Sequence, residues 1–554
     1  MPSYFHGAGG APGIALGRAV RYRPAAPDAA LVDADADAAL ARFADAQARA
    51  VAALNGLAER LRAEGKPDEA GIFEAQALLA EDPGLSDEVA RRVRDEGEQL
   101  DAAIGATVAE MRAALEALDD AYLRERAADM DAIGQSILAA LHGNGSALRD
   151  LPPGAIVVAP DLTPAETADL RGGSVAGFAT AYGGPTGHTA ILARALGIPA
   201  AVGLGAAALE IADGAELILD GGAALLIADP SADERAEYTR RAADAADAAA
   251  RRARLRGIPG RLADGRALAL WANIGHPDEA ARALEHGAEG IGLFRTEFLF
   301  LDRHAPPGEH EQYAAYRRTL QTMAGRPVVI RTIDIGGDKP LPYLNMPHEE
   351  NPFLGVRGLR LCMQRTDLFT TQLRALLRAA AYGDLWIMLP MVATLDDLRW
   401  GRAQLQDAAA ALAAEGSPHR ADVRLGVMIE TPAAAVTADL FARDAAFFSI
   451  GSNDLTQYTM AADRGLADLA ARYPHDAPAV FRLIGMAAEA AERAGIPIGV
   501  CGELAGVPAA APILAGLGVN ELSMAPAMIP QIKEQLQGVT FEQARAAAQA
   551  AQAR

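Results

Sequence analysis

One histidine in this chain stands in a loop suited to carrying a phosphoryl group. His188 follows the glycine- and proline-rich stretch 183–187, and the residues from Thr189 to Leu196 have the composition of a helix. Glycine and proline predict an irregular loop before that helix. Backbone N–H groups and the dipole at a helix start favour negative charge. The stretch predicts a phosphohistidine site, although a surface histidine in a glycine-rich turn fits this loop alone about equally well.

A second set of reactive residues follows short apolar runs in the C-terminal half. Eight such runs, mostly separated by helical segments, predict a (β/α)8 barrel. The runs are 267–274, 290–294, 327–333, 386–391, 425–429, 447–450, 496–500 and 521–524. Polar residues at the carboxyl ends of barrel strands are typical of catalytic sites. Those ends carry Arg295, Arg331, Glu430, Asn453, Asp454, Arg464 and Cys501.

These residue types suit a small ligand that carries a phosphate and a carboxylate. Arginine forks bind such oxygens in pairs, and the carboxylates of Glu430 and Asp454 are suitable Mg2+ ligands. Three arginines and Mg2+ against two carboxylates leave an excess of about three positive charges, which matches that ligand near neutral pH. Cys501 is a weak acid that could give or take a proton. Each residue alone could be a surface ion pair, a helix cap or a core thiol, but their joint occurrence favours a site.

The elements that must position these residues predict a multidomain α/β fold. Residues 1–30 and 144–230 alternate short apolar runs with short helices, which predicts a phosphohistidine α/β domain. Residues 31–143 have apolar residues at helical spacing and predict an inserted α-helical domain. Residues 231–259 predict a helical linker, and its charged, alanine-rich stretch 232–256 would be about 40 Å long as one helix. Residues 260–554 form the predicted C-terminal (β/α)8 TIM-like barrel.

Composition excludes several classes of function. The 554 residues carry a net charge of −21, which argues against nucleic acid as the main partner. No apolar run approaches the ~18–20 residues that a membrane span needs, so no membrane insertion is expected. The first 17 residues lack the pattern of a signal peptide. Cys362 and Cys501 provide neither a disulfide framework nor metal-site spacing, so we expect a cytoplasmic location.

Together the motifs closely resemble Enzyme I of the bacterial phosphoenolpyruvate-dependent sugar phosphotransferase system, over essentially the whole chain. The matching stretches are 183–194, 292–300, 331–339, 351–358, 427–432, 451–458 and 501–506. The resemblance implies Mg2+-dependent transfer of the phosphoryl group of phosphoenolpyruvate to His188, with release of pyruvate. It also implies onward transfer to a histidine of the phosphocarrier HPr for sugar uptake, and a homodimer formed through the barrel.

The resemblance implies a role for individual residues as well. His188 corresponds to the phosphorylated histidine, and Thr167 to a threonine that orients it. Cys501 corresponds to the general acid that protonates the enolate of pyruvate. Glu430 and Asp454 correspond to the Mg2+ ligands. The residues implied in substrate binding are Arg295, Arg331, Asn453, Asp454 and Arg464, with Arg357 near the site.

Three positions depart from the family pattern. Gly187 stands where serine is expected, which removes a hydroxyl cap from the helix that follows. Val356 replaces a tryptophan, which predicts a packing change. Gln76 replaces a histidine in the helical domain implied to dock HPr, so the choice of partner stays open.

Alternatives remain within and outside this family. A dikinase would share the histidine domain and the barrel, but we expect no room for its nucleotide-grasp domain before His188. The nitrogen-branch paralogue usually carries an additional N-terminal sensor domain, which the early start of the histidine domain disfavours. A phosphorylation-dependent regulator or a scaffold would be expected to have lost site residues, and all of them are present. For the enzyme, a large swing of the histidine domain about the linker is expected.

Overall fold

The computed structural model describes residues 2–22, 35–63, 67–117, 121–142, 148, 151–170, 175–185, 187–301, 303–336, 341–344, 346 and 348–553. They form two compact units, Met1–Ala248 and Ala249–Arg554, and each is described by itself. Among these residues, no helix combines the length and the apolar character that crossing a bilayer requires.

The first unit contains a mixed sheet whose described part has eight strands. They are β1 (Ser3–His6), β2 (Gly9–Ala11), β3 (Ile14–Arg21), β4 (Ala155–Ala159), β5 (Gly177–Thr180), β6 (Ala200–Val202), β7 (Glu216–Asp220) and β8 (Leu225–Ala228). Their order across the sheet is β1-β8-β7-β3-β4-β5-β6-β2. Strands β3 to β6 pair in parallel, and the other pairs are antiparallel.

The apolar runs predicted as strands in this unit are strands in the structure. Three further strands, β1, β2 and β8, were missed. The short strands β1 and β2 lie at the two edges of the sheet, where one side has no neighbouring strand and polar residues or glycines are tolerated. Their sequences therefore lack the apolar pattern by which the central strands were recognised.

A helical insertion follows β3 and precedes β4. Its helices are α1 (Ala36–Ala63), α2 (Pro67–Ala80), α3 (Pro83–Asp95), α4 (Leu100–Glu116) and α5 (Ala121–Leu141). Leu57 and Phe73 are among the side chains that form its core. Helix α3 begins where Asp82 accepts a hydrogen bond from the backbone N–H of Gly84, which caps its first turn. Leu78 follows the apolar spacing of α2, but its side chain is 71% exposed.

Three further helices complete the region before the barrel: α6 (Pro164–Leu170), α7 (His188–Leu196) and α8 (Ala232–Leu255). Helix α7 ends at Gly197, whose backbone is left-handed at φ 70°, the usual place for glycine after a helix. Helix α8 has 24 residues, none of them buried, and spans about 36 Å at its normal rise. A helix over this stretch agrees with the pattern that predicted one.

Side-chain contacts attach the N-terminal part of α8 to the first unit and the C-terminal end of α8 to the second unit. In the first unit, Arg241 lies 2.7 Å from Asp220, a residue of β7. In the second unit, Arg252 lies 2.7 Å from Glu534, and Lys533 donates a hydrogen bond of 3.1 Å to the carbonyl of Arg256. Between these anchors the helix consists mostly of alanine and aspartate.

The second unit is built on a closed parallel barrel. The described strands are β9 (Ala269–Ile274), β10 (Ile291–Phe294), β11 (Val328–Arg331), β12 (Leu385–Leu389), β13 (Arg424–Ile429), β14 (Phe448–Ile450), β15 (Ile498–Val500) and β16 (Glu521–Met524). They close in sequence order, with β16 pairing with β9. The barrel predicted from eight apolar runs is confirmed, and each run overlaps one strand.

Helices surround and cap this barrel. They are α9 (Glu279–Glu285), α10 (Glu309–Met323), α11 (Leu359–Gln364), α12 (Thr366–Ala379), α13 (Leu395–Ala414), α14 (Pro432–Val436), α15 (Ala438–Phe441), α16 (Ser452–Met460), α17 (Ala467–Arg472), α18 (Pro478–Ala494), α19 (Ala511–Gly516), α20 (Ile529–Gln537) and α21 (Phe541–Ala553). A separate cluster of buried side chains includes Trp271, Leu293, Trp386, Met388 and Phe447. All five lie on or beside barrel strands, and such packing keeps a barrel from being a pore.

Candidate active site at the barrel mouth

A cavity of about 260 Å3 lies at the carboxyl ends of the barrel strands. The structure brings together all the site residues that were predicted in the barrel. They are Arg295, Arg331, Arg357, Glu430, Asn453, Asp454, Arg464 and Cys501, and each lines this cavity. Arg357, which the motifs placed only near the site, is therefore part of its wall.

Two of the arginines are buried and held by carboxylates. Arg331 lies 2.8 Å from Glu297 and 2.9 Å from Asp334. Arg357 shares Asp334 at 2.9 Å and also lies 3.2 Å from Asp454. Burial opposes the charge of each guanidinium, but the surrounding carboxylates raise the pKa of both above its usual range. The two arginines are therefore charged and fixed in direction before any ligand binds.

Glu297 and Asp334 are the residues of this site that sequence reasoning missed. Both are buried, and both follow a site arginine by two or three positions, Arg295 and Arg331 respectively. An acidic residue two or three positions after an arginine, repeated at two strand ends, was the sequence signal that could have identified both carboxylates. The expected excess of about three positive charges was counted from three arginines, Mg2+ and two carboxylates. That count needs correction, because the structure places four guanidinium groups at the mouth and matches them with four buried carboxylates.

The other two arginines are exposed. Arg295 makes no side-chain ion pair or hydrogen bond with any residue in the described part of the chain. Arg464 lies 3.5 Å from Asp454, and 36% of its side chain is exposed. Arginines of this kind can turn toward the oxygens of a small anion without first losing a strong partner.

Glu430 has one oxygen bound and one oxygen unused. Its Oε1 accepts a hydrogen bond of 2.6 Å from the backbone N–H of Met391. Its Oε2 is buried and has no hydrogen-bond partner among the described residues. Burial, followed by the charges of Asp454 and Asp334, raises the pKa of Glu430 to about 8. A divalent cation would satisfy this oxygen and relieve the repulsion between the carboxylates.

The residues therefore fit Mg2+ with an incomplete set of protein ligands. Glu430 and Asp454 supply two carboxylates, and the described residues contain no group of three or more histidine, cysteine or acidic side chains placed to hold a metal. Mg2+ normally keeps several waters and uses one or two carboxylates together with phosphate oxygens of a substrate. This donor set matches that habit.

The start of α16 faces the same cavity. Asn453 and Asp454 lie in its first turn, where free backbone N–H groups favour anions. The Asn453 side chain donates to Glu503 at 3.1 Å and accepts from the Glu503 backbone N–H at 3.0 Å. Gly502 is required here, because a Cβ would lie 2.6 Å from the backbone nitrogen of Ser452. These contacts fix the helix start against the end of β15.

Cys501 presents a protonated thiol to the cavity. The residue is 1% exposed, and its Sγ lies 3.6 Å from the carbonyl oxygen of Ile450. Burial raises the pKa of this thiol to about 12. The thiol is therefore neutral near pH ~7 and suited to give a proton rather than to act as a nucleophile.

The remaining predicted site residues belong to the first unit. Helix α7 begins at His188, and Gly187 precedes it with φ −67° and no side-chain cap. The hydroxyl of Thr189 donates to Asp161 at 3.1 Å and to the carbonyl of Leu162 at 2.9 Å. These bonds hold the first turn of α7 against the chain that follows β4.

A second set of hydrogen bonds holds the loop before His188. Arg194 donates to the carbonyls of Gly10 and Pro185 at 3.1 and 3.0 Å. Thr167 is buried and donates to the carbonyl of Thr163 at 3.0 Å. Its part in orienting His188 stays a prediction.

Of the two other departures from the family pattern, Gln76 is buried and Val356 is partly buried. Gln76 is 1% exposed and donates a hydrogen bond of 3.1 Å to Asp129. Gln76 is therefore part of the helical core and not of a surface that a partner protein would contact. Val356 packs partly buried against the barrel core, and its backbone N–H donates to Glu349 at 2.9 Å.

Comparison with known proteins agrees with this geometry. Models of the PEP-utilising enzymes match the chain over 6–126 (N-terminal), 151–224 (mobile domain) and 249–541 (PEP-binding domain). The chain is 43% identical, over 97% of its length and 94% of theirs, to the phosphoenolpyruvate-protein phosphotransferases of Bacillus sp. (strain S) and Geobacillus stearothermophilus. For that of Bacillus subtilis (strain 168), identity is 41% over 97% of this chain and 95% of the relative.

The chain belongs to the phosphoenolpyruvate-protein phosphotransferase family. The resemblance to Enzyme I, which was based on separate motifs, is confirmed over nearly the full length. The cavity lies within the stretch that matches the PEP-binding domain, and His188 lies within the stretch that matches the mobile domain.

Proposed function

We propose that this chain transfers the phosphoryl group of phosphoenolpyruvate to its own His188, releases pyruvate, and passes the group to a histidine of HPr for sugar uptake. One observation carries the proposal. A single cavity combines four guanidinium groups, a carboxylate oxygen with no partner and a buried neutral thiol. Phosphoryl transfer depends mainly on positioning and on neutralising charge, and this cavity offers both.

In this proposal the mouth binds phosphoenolpyruvate through two kinds of arginine. Arg331 and Arg357 provide fixed positive charge, because their carboxylate partners hold them in place. Arg295 and Arg464 turn to the phosphate and carboxylate oxygens of the substrate. The backbone N–H groups near Asn453 and Asp454 add donors at the start of α16.

Glu430 and Asp454 would hold Mg2+ together with substrate oxygens and water. The unpartnered Oε2 of Glu430 is the support for this assignment. When bound, the ion would neutralise charge on the phosphoryl oxygens and orient them. The chain supplies the rest of the chemistry.

His188 then attacks phosphorus as a neutral imidazole, the form whose ring nitrogen has a lone pair free to take the phosphoryl group. The electron pair of the breaking bond stays with the enolate of pyruvate. Cys501 gives its thiol proton to the methylene carbon of that enolate, which completes pyruvate. Thr167, which is buried in the middle of α6, is proposed to orient His188.

The reaction requires His188 to meet the barrel mouth in one step and HPr in another. Attack needs an approach of roughly 3–3.5 Å. We infer that the helical segment 31–143 docks HPr, that 1–30 with 144–230 carries His188, and that 231–259 links them to the barrel at 260–554. The barrel is also inferred to form the homodimer.

The test is phosphorylation of the intact protein by radiolabelled phosphoenolpyruvate with Mg2+. We expect acid-labile label on the wild type, none on His188→Ala, and full label on His310→Ala, which removes an exposed histidine of the barrel unit. Adding HPr should move the label to it. Label on His188→Ala would place the nucleophile elsewhere.

Two other outcomes would redirect the assignment. Label that stays on the wild type when HPr is added, but moves to a nitrogen-branch carrier, would favour the paralogue. No label with intact binding of phosphoenolpyruvate would favour a regulatory protein.

A further inference from the structure

The backbone that carries the Cys501 thiol is held differently on its two sides. On the β14 side, its N–H donates to the carbonyl of Ile450 at 3.0 Å. On the β16 side, the described strand pairs with β15 end at Val500 and Leu522. The carbonyl of Cys501 therefore lies beyond the strand pairing on that side. Because the residue is buried, this carbonyl needs a donor from elsewhere in the chain.

A side-chain amide supplies that donor. Asn273 is on β9, and its Nδ2 donates a hydrogen bond of 2.8 Å to the carbonyl oxygen of Cys501. Trp271, two residues earlier on β9, belongs to the same cluster of buried side chains as Cys501, so Asn273 is on the same face of its strand as Trp271. Since β16 lies between β15 and β9, the amide reaches past one strand to hold the next.

The Asn273 amide is itself fixed by Ser523. This serine is on β16, between the two strands that the amide connects, and is fully buried. Its hydroxyl donates to Asn273 Oδ1 at 2.7 Å. Because the carbonyl of Cys501 can only accept, Nδ2 must face it, and Oδ1 then faces the hydroxyl. The two bonds therefore define one orientation of the amide.

A glycine on β10 makes the space for this hydroxyl. A Cβ on Gly292 would lie 2.5 Å from Ser523 Oγ, so another residue there would displace the hydroxyl. Neither Asn273 nor Ser523 is among the described residues that line the mouth cavity. Both therefore act on Cys501 from outside the space that the substrate would occupy.

We propose that Asn273, held by Ser523, is a positioning residue that aims the Cys501 thiol at one face of the enolate. The inference rests on the proposed function, in which that thiol gives its proton to the methylene carbon. With its N–H bonded toward β14 and its carbonyl bonded to β9, the Cys501 backbone is fixed on both sides. Such geometry matters for rate, since a misplacement of about 1 Å can cost about 100-fold.

The test is the configuration of the methyl group in the product. Phosphoenolpyruvate with deuterium at one of its two methylene positions is turned over with Mg2+ and HPr in tritiated water. The methyl carbon of the pyruvate then carries three hydrogen isotopes, and reduction to lactate preserves it for analysis. The wild type should give one configuration, because a fixed thiol adds tritium to one face of the enolate.

Variants of the two positioning residues should lose this selectivity. We expect Asn273→Ala to give nearly equal amounts of both configurations and to form pyruvate more slowly by about tenfold or more. Asn273→Asp keeps the size of the side chain, but its carboxylate cannot donate to the Cys501 carbonyl, so it should give the same mixture. Ser523→Ala leaves the amide in place without its fixed orientation and should give an intermediate ratio.

Asn520→Ala is the matched control. Asn520 Oδ1 accepts a hydrogen bond of 2.8 Å from the backbone N–H of Ile498, at the opposite end of β15. This variant also removes a bond between an asparagine side chain and the backbone of β15, but not the bond at the thiol. It should give one configuration, whatever it costs in stability. A mixture from Asn520→Ala would contradict a specific role for Asn273.

Two results would overturn the assignment while the proposed function stands. One configuration from Asn273→Ala at the wild-type rate would show that the residue has no role. One configuration at a lower rate would show a structural role alone. If the wild type gives both configurations, Cys501 is not the acid, and if it releases no pyruvate, the proposed function itself fails. The inference falls in both of these cases.

Discussion

The barrel mouth and the loop before His188 differ in how far their residues are buried and held by contacts. At the mouth, Arg331 and Arg357 are buried and each is held by two carboxylates. Before His188, Tyr182 is 55% exposed, Gly183 and Pro185 are also exposed, and Gly187 leaves the start of α7 without a side-chain cap.

The difference follows from what each region has to do in the proposed reaction. Charge that stabilises a phosphoryl group works best when it is fixed in advance, since nothing then has to reorganise during the reaction. A nucleophile that visits two partners instead needs a backbone that neighbouring groups do not enclose. Fixed charge at the mouth and an exposed loop before His188 are therefore complementary.

The largest expected effect is on the reactivity of the mouth thiol. With a pKa of about 12 instead of 9.0, Cys501 has roughly a thousandfold less thiolate near neutral pH than an ordinary thiol. In a Cys362→Ser background, iodoacetamide should modify Cys501 about a thousandfold more slowly than in the unfolded chain. The rate should rise about tenfold per pH unit up to roughly pH 12.

The same shift predicts how stability depends on pH. Because the folded pKa lies above the unfolded one, the contribution of this thiol is fully present below pH 9.0 and is lost as pH rises toward about 12. In the iodoacetamide experiment, modification of Cys501 at equal rates in the native and unfolded forms would contradict the raised pKa and would show that the mouth is open to solvent.

The second effect concerns the carboxylate that two arginines share. Asp334→Ala leaves Arg331 and Arg357 each without one buried partner, and we expect a loss of about 3–5 kcal/mol in the free energy of unfolding of the barrel. Urea denaturation measures it. Asp396→Ala is the control, because that carboxylate is 92% exposed and its removal should cost under about 0.5 kcal/mol. Similar losses in the two variants would contradict a preorganised mouth.

The third effect concerns an arginine that is free to take substrate. Arg295→Ala should weaken binding of phosphoenolpyruvate by about 10- to 100-fold, the usual value of a hydrogen bond to a charged group. The free energy of unfolding should hardly change, since no described partner loses a contact. Isothermal titration with phosphoenolpyruvate and Mg2+ measures binding, and Arg326→Ala at an exposed site is the control. Unchanged affinity would exclude Arg295 from the binding set.

The smallest effect concerns the uncapped helix. Serine can adopt φ −67° at Gly187, and a Cβ there would meet its nearest neighbour, the carbonyl oxygen of Gly184, at 3.2 Å. Gly187→Ser should therefore stabilise the start of α7 by a few tenths of a kcal/mol, measured by hydrogen exchange of the α7 amides. Gly184→Ser, which lies outside the cap position, should give no such protection. Faster exchange in Gly187→Ser would show that the close carbonyl outweighs the cap.

The sequence was sufficient for the barrel and for most of its mouth. Parallel strands are covered on both faces, so each appears as a continuous apolar run, and the first polar residue after the run marks the mouth. Arg295, Glu430 and Cys501 were found in this way. The edge strands β1 and β2 and the partners Glu297 and Asp334 were not.

The missed features share a physical cause. An edge strand has no second neighbour and needs no apolar run. Whether a carboxylate near a strand end faces an arginine or solvent depends on side-chain direction, which spacing along the chain does not determine. Gln76 gives the same lesson, because its place in the sequence did not show that the structure buries it against Asp129.

Met391 has a consequence for engineering this chain. Its backbone is left-handed at φ 55°, a conformation that costs about 1–2 kcal/mol for a residue with a side chain, and its N–H donates to Glu430. A search for thermostable variants that first targets residues with strained backbone would replace Met391 with glycine at an early stage. That change would loosen the residue that aims Glu430. Heat resistance gained at this position would be expected to come with a poorer ion site, so stabilising efforts belong on the outer helices.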